Sequence, residues 1–429
     1  YKKCFQMRKN YLWYNFWRYC IVKTALHLFY KKIEVVGKKN YPKGKPVIIA
    51  PIHQNALIDA LMISAHVPGF MFALTRSGAF STKFSNWFLR SLNLLPVYRV
   101  RDGLSSVTKN NAIFDICVNE LGKNSSVLIF PEANHDLRRR VRPLSKGFTR
   151  IAFDAEVKNN WELDVHILPV GLNYTEHRRS RNRVQIMYGL PIPVKKYKEL
   201  YESDERKAAN QLKSDVSDEM KKTVMHVPNL DQYPAMQVLL TDLENDEYEY
   251  IDPKKVNKKV EKLSKQLTPE VIETGKQVVE ISNQYDISIK TASGRKKPWV
   301  YLVLLFPLYA FSWLNNIIPY QPIRRIIDTK IKDHTFDATV KYMLGLFLFP
   351  LFWLVITMIL WIIGVPGEFI IGYFGLSIFT SILFKNSMLV FEEASVIKKL
   401  EALKSKHPEV YKTFVDGIHS LNEFRKKAI

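Results

Sequence analysis

Cysteine is scarce in this 429-residue chain: there are three, at positions 4, 20 and 117, and no CxxC pair. That excludes a disulfide scaffold and a cysteine zinc ribbon, and it places the chain in a reducing compartment. Acidic side chains are also few, 41 against 63 Lys and Arg, for a formal charge of +22. No Walker loop and no GxGxxG is present, so neither common nucleotide cradle applies. Apolar residues make up 47% of the chain, which excludes wholesale disorder and allows two or three domains.

A strongly basic chain calls for an anionic partner, and nucleic acid or an anionic membrane surface would serve. The apolar residues are gathered in blocks near the two ends. Nucleic acid is therefore not expected, because the aromatics accompany apolar runs rather than a groove. Residues 299–318 carry no charge, and between 342 and 384 only Glu368 interrupts another apolar stretch. Tyr342 to Ile363 as a helix would cover ~33 Å, enough for a ~30 Å hydrocarbon core. Val365-Pro366-Gly367-Glu368 reads as a polar turn after which Phe369 to Phe384 returns.

Basic residues flank these runs at Arg295-Lys296-Lys297, from Arg324 to Lys341, and after Phe384. All three flanks are expected on the cytoplasmic side. With both of its flanks on that side, 299–318 reads as a re-entrant segment broken at Pro307 and 342–384 as a hairpin crossing twice; three ordinary spans are the alternative. The resulting division is a membrane-interface helix over 1–40, a chemical domain over 41–200, a charged helical segment over 201–297, a membrane-embedded region over 298–384 and a basic cytoplasmic tail over 385–429. The first of these mixes Lys2, Lys3, Arg8, Lys9, Arg18 and Lys23 with Tyr11, Trp13, Trp17 and Tyr19, which suits a helix lying among headgroups. A helix packing its aromatics on the next domain fits equally.

Within 41–200 the apolar runs Val47–Ala50, Met71–Leu74, Val127–Phe130, Ile167–Leu172 and Val184–Tyr188 read as strands separated by helical stretches, an α/β pattern. His53-Gln54-Asn55-Ala56-Leu57-Ile58-Asp59 follows the first strand. In one helix His53 and Asp59 would stand ~600° apart, so His53 belongs in the loop and Asp59 in the helix, with Asn55 as N-cap. The carboxylate then reaches one imidazole nitrogen and leaves the other free to take a proton. The plain alternative is a solvated loop histidine. Further along come Leu95-Pro96-Val97-Tyr98-Arg99-Val100-Arg101, then Phe130-Pro131-Glu132-Ala133-Asn134-His135-Asp136 with Arg138 to Arg142 and Lys146 behind it, then Leu168-Pro169-Val170-Gly171.

These four blocks, in this order, resemble the phospholipid/glycerol acyltransferase superfamily over roughly residues 40 to 200. In that family a His and an Asp open the series, an Arg follows, FPEG is third and a proline-bearing strand is fourth. His53 and Asp59, Arg99, Phe130-Pro131-Glu132 and Pro169 match in turn. Five residues rather than four separate His53 from Asp59, and Ala133 stands where the family has glycine. The extra residue and His135-Asp136 resemble the fungal glycerol-3-phosphate and dihydroxyacetone-phosphate branch, as does the C-terminal hairpin.

The resemblance implies an α/β acyltransferase domain with a helical appendage and a membrane helical hairpin. It also implies acyl transfer from an acyl-CoA or acyl-carrier-protein thioester to glycerol-3-phosphate, with 1-acylglycerol-3-phosphate (lysophosphatidate) as the other acceptor and a non-catalytic lipid-binding protein as the rival reading. His53 is then the general base and Asp59 its partner, Arg99 and Arg101 hold phosphate, Lys146 assists, and Glu132 either accepts bonds from acceptor hydroxyls or satisfies backbone donors. No cofactor or metal is expected. Arg138 to Arg142 and the Arg178 to Arg183 cluster read as solvated or facing headgroups, and His177 has no partner visible in the sequence. The expected setting is an integral membrane protein with the catalytic domain on the cytoplasmic face.

Overall fold

The computed structural model describes residues 10–98, 108–240, 252–287, 289 and 306–428. Arg99 and Arg101 therefore lie outside the described residues. The chain divides into two compact units, one comprising the chain up to His177 with Asn182–Met225, the other Arg178–Arg181 with the chain from His226 onward.

The first unit is built on a mixed eight-stranded sheet. Its strands are β1 (Lys32–Val36), β2 (Val47–Pro51), β3 (Met71–Arg76), β4 (Leu94–Val97), β5 (Ser126–Leu128), β6 (His166–Tyr174), β7 (Arg183–Tyr188) and β8 (Ile192–Pro193). They lie in the order β1-β7-β6-β2-β5-β3-β4, with β8 also on β6. Neighbours are parallel except where β6 meets β7 and β8. β2 is buried along its whole length and β6 beyond its first residue, which is why both read as unbroken apolar runs. All five strands expected from the sequence are present.

β1 falls inside 1–40, so that segment is not all interface helix: its last residues pair with β7 from Lys32 opposite Arg183 to Val36 opposite Met187. Before it, α1 (Tyr11–Asn15) passes through π-helical turns at Phe16–Lys23 into α2 (Thr24–Phe29) as one rod. The other helices of this unit are α3 (Ala56–His66), α4 (Lys83–Ser91), α5 (Lys109–Leu121), α6 (Gly147–Lys158), α7 (Lys198–Ser203) and α8 (Glu205–Thr223). The unit extends past residue 200 because α8 packs on β6. There the Asn173 amide donates to the Thr223 carbonyl at 2.9 Å, and a side chain at Gly171 would collide with that carbonyl.

The second unit is helical: α9 (Tyr233–Leu239), α10 (Pro253–Ser264), α11 (Pro269–Gln284), α12 (Phe306–Lys330), α13 (Asp337–Ile362), α14 (Gly367–Lys406) and α15 (Pro408–Ala428). Gly275 lets α11 approach Ala235 of α9, and Gly417 lets α15 approach Val278 of α11. The residues expected as a basic tail are thus helix, with α15 packed on the charged segment. α12 is helical through Pro307, so the expected break there is not found; residues 299–305 of the expected re-entrant segment lie outside the described residues.

α12 is tied to α13 and α14 by polar contacts. Ser312 donates to the Thr380 carbonyl at 2.6 Å, Tyr373 to Asn315 at 2.7 Å and the Trp353 indole to Asn316 at 3.3 Å. Arg178 is not merely solvated. Its guanidinium pairs with the buried carboxylate of Asp337 at 2.7 Å, and Lys341 donates to its carbonyl at 3.0 Å.

Candidate functional site

Three strand ends in the first unit converge. β2 ends at Pro51 and delivers His53, β5 leads into Phe130-Pro131-Glu132, and Tyr174 closes β6; β2 runs parallel to both of the others, so these are all carboxyl ends. That is where parallel sheets of α/β proteins present their ligand sites.

As the spacing predicts, His53 is in the loop and Asp59 in the first turn of α3. The Asp59 side chain is fully buried. Its Oδ2 accepts from His53 Nδ1 at 3.1 Å, from the Gln54 N–H at 2.7 Å and from the Asn55 N–H at 2.6 Å, while Oδ1 accepts from the Tyr174 hydroxyl at 2.7 Å. The carboxylate thus satisfies backbone donors that the start of a helix otherwise leaves unpaired. Burial and the adjacent Asp59 charge push the Tyr174 phenol well above its usual range, so it stays a donor. With an ionised acceptor on Nδ1, the proton resides there and Nε2 keeps its lone pair. Among the described residues Nε2 has no hydrogen-bond partner, and the His53 side chain is 13% exposed.

Asn55 takes the N-cap position without the expected side-chain cap. Its amide instead donates to the His177 carbonyl at 2.8 Å, and His177 Nε2 lies 3.0 Å from Gln54 Oε1. His177 therefore does have partners. Burial, with a contribution from Arg139, holds its imidazole well below the usual range, so the neutral ring donates to Gln54.

Glu132 shows the structural arrangement of the two foreseen. Its side chain is fully buried. The carboxylate accepts from the His53 N–H at 3.0 Å, the Arg142 N–H at 2.7 Å and the Arg142 guanidinium at 3.2 Å. The same loop grips the other side of His53, whose carbonyl accepts from the Asp136 N–H at 3.2 Å. The imidazole stacks on Phe130, ring centroids 4.1 Å apart, and meets the edge of His135 at 5.4 Å. Ala133 turns this loop at φ +61°, a conformation that favours glycine. Two of the arginines expected in solvent are built in: Arg139 is buried and donates to the Tyr174 carbonyl at 2.6 Å, and Arg142 clamps Glu132 and the Asn134 carbonyl. Arg138 fits the solvated reading better, paired with Asp136 at the surface.

Lys146 is exposed just ahead of α6, where the Ser145 N–H bonds the Pro131 carbonyl at 2.7 Å; it makes no hydrogen bond to His53 or Asp59. Pro169 lies within β6 opposite Ala50. No short-range signal marked Tyr174, which reaches Asp59 across the fold, and Arg142 stood in a basic stretch that read as solvated or facing headgroups. The arrangement amounts to an imidazole backed by a buried carboxylate, with no partner on its second nitrogen among the described residues.

Residues 32–173 match the family model named Acyltransferase. The chain is 27% identical over 129 residues to the Saccharomyces cerevisiae protein named glycerol-3-phosphate O-acyltransferase 2, covering 30% of this chain and 17% of that protein. It is 29% identical over 92 residues to an uncharacterised acyltransferase of Schizosaccharomyces pombe, covering 21% of this chain and 14% of the relative. The matches thus span less than a fifth of either relative. Among solved structures, the 1-acyl-sn-glycerophosphate acyltransferase PlsC from Thermotoga maritima aligns at a TM-score of 0.35 and 20% identity, over 46% of this chain and 76% of its own. The dyad, the FPE loop and the proline-bearing strand all lie inside the segment, residues 32–173, that matches the acyltransferase family model and fits the phospholipid/glycerol acyltransferase superfamily.

Proposed function

We propose that this chain is a membrane acyltransferase that moves a fatty acyl group from an acyl-CoA or acyl-carrier thioester to a hydroxyl of glycerol-3-phosphate. The observation that carries the reading is the His53 Nδ1 to Asp59 Oδ2 contact at 3.1 Å, with no partner on Nε2 among the described residues. An alcohol is a poor nucleophile at neutral pH. His53 Nε2 takes the hydroxyl proton as the oxygen attacks the thioester carbonyl; the tetrahedral intermediate then expels the thiolate, which recovers the proton from the imidazolium. Asp59 holds the tautomer and stabilises the imidazolium, and no acyl-enzyme is needed. The glycerol-3-phosphate acceptor follows the name of the yeast relative and the sequence features that resemble its branch. Arg99 and Arg101 remain the proposed phosphate grip, since a guanidinium can bond phosphate oxygens in pairs, and Lys146 is proposed as a further cation for the phosphate.

Membrane placement rests on α13 and α14. His334–Ile362 and Gly367–Phe384 are long and apolar enough to cross, with mean hydropathies of 2.5 and 1.6. Their outward side chains, among them Met358, Trp361, Ile371 and Phe379, are largely exposed, unlike those of a core helix. We place the crossings as a hairpin with the catalytic domain on the cytoplasmic face.

The test is acyl transfer by membranes holding the full chain, with labelled thioester donor and glycerol-3-phosphate, dihydroxyacetone phosphate or lysophosphatidate as acceptor. His53→Gln is expected to lower the rate by ~10²–10⁴. Unchanged transfer by that variant would remove the dyad mechanism. Preference for lysophosphatidate would correct the acceptor and leave the chemistry standing.

A further inference from the structure

The two longest stretches of the first unit without an acidic residue are 1–33 and 60–101. Residues 1–33 hold eight Lys or Arg and residues 60–101 hold five, with no Asp or Glu in either, where the chain's average of 41 in 429 would place about seven. The fold brings the described parts of these stretches, 10–33 and 60–98, together. The Trp13 indole donates to Ser91 at the end of α4 at 3.0 Å, Trp17 meets Phe88 edge-on with centroids 5.0 Å apart, and Tyr11 and Tyr14 lie against Phe70. One side of the α1–α2 rod is buried in the unit through Tyr14, Arg18 and Leu26, with Arg18 donating to the Gly69 carbonyl at 2.6 Å.

The outer side is apolar as well. Leu12 is 86% exposed, Phe16 46% and Tyr19 44%, and on α4 Phe84 and Trp87 are 69% and 60% exposed. Phe84 stacks on Phe88, which joins the two sets into one aromatic surface. Lys83 and Arg76 stand exposed on the same acid-free stretch. So large an exposed aromatic surface calls for an occupant. Aromatic rings with flanking cations and no carboxylates match the headgroup layer of an anionic leaflet, where rings sit at the acyl boundary and Lys or Arg meet phosphates.

We propose that the outer face of the α1–α2 rod and the face of α4 bearing Phe84 and Trp87 form one seat on an anionic leaflet, with α4 as a second point of insertion for the catalytic unit. It rests on the membrane placement above and is independent of the dyad chemistry.

To test it, the full chain with Cys4 and Cys20 changed to Ser is reconstituted into phosphatidylcholine vesicles with or without phosphatidylglycerol. It carries an environment-sensitive fluorophore on Phe84→Cys, Trp87→Cys or Leu12→Cys, with exposed Lys158→Cys on α6 as control. The first three labels are expected to shift to the blue and to be quenched severalfold by nitroxide lipids in the anionic vesicles, the control to do neither. Arg76→Gln with Lys83→Gln is expected to weaken insertion at positions 84 and 87 about fivefold per charge. Aqueous emission at 84 and 87 in both vesicle types overturns the proposal, as does equal insertion with and without phosphatidylglycerol. A shift that follows protein density and resists nitroxide lipid gives the face to a second copy, which also overturns it. Insertion without acyl transfer in the same vesicles supports the seat while counting against the proposed reaction.

Discussion

Ala133 is the residue at which local backbone and sequence disagree. Its φ of +61° costs an L side chain roughly 1–2 kcal/mol that glycine avoids, and the loop it turns holds both sides of the His53 backbone through Glu132 and Asp136. Ala133→Gly should therefore raise unfolding stability by about 1 kcal/mol in denaturant titration and leave acyl transfer within about twofold; a loss of stability would mean the loop's geometry is set otherwise. His53 and Asp59 were legible in the sequence because six residues fix their relation through one loop and one helical turn. Tyr174 was not, since it reaches Asp59 across 115 residues of chain. Glu132 and Arg142 were both seen, but only folding revealed that they spend their polar groups on each other and on His53.

Among the elements, β2 and β6 are covered on both faces and so announce themselves as apolar runs. β1 and β4 hide for the opposite reason. They lie at the two ends of the strand order, where β1 carries Lys32 and Glu34 and β4 tolerates Pro96, so neither has an unbroken apolar signature. The boundary at 200 was missed because α8 reads as a charged helix, and the glycine it rests on lies thirty or more residues earlier in β6. That contact makes a prediction: Gly171→Ala drives a methyl group into the Thr223 backbone carbonyl, which has no rotamer by which to yield. Overpacking of this kind costs typically 1–3 kcal/mol. Hydrogen exchange should show α8 losing protection ahead of α11 and α15; equal protection in variant and parent would mean that α8 does not depend on that close approach.

At the scale of the whole molecule, charge and hydropathy are distributed so that one topology is favoured over its mirror. The turn between α13 and α14, Ile363 to Pro366, carries no basic residue, while Arg324, Arg325, Lys330 and Lys332 precede α13 and Lys404 and Lys406 close α14. Moving this many Lys or Arg residues across a bilayer is disfavoured, so the proposed hairpin leaves its tip on the far side and both basic flanks with the catalytic unit. The α14 helix, at 40 residues, is far longer than one crossing needs; its apolar part ends near Phe384 and its remainder reaches Lys406. A chain with Cys4 and Cys20 removed, bearing Gly364→Cys, Lys332→Cys or Lys404→Cys, distinguishes the arrangements in sealed membranes. An impermeant maleimide added from the cytoplasmic side should label positions 332 and 404 and reach 364 only after permeabilisation. Labelling of all three from one side would remove the hairpin and leave α13 and α14 lying on the membrane, whereas 332 and 404 on opposite sides would mean an odd number of crossings between them.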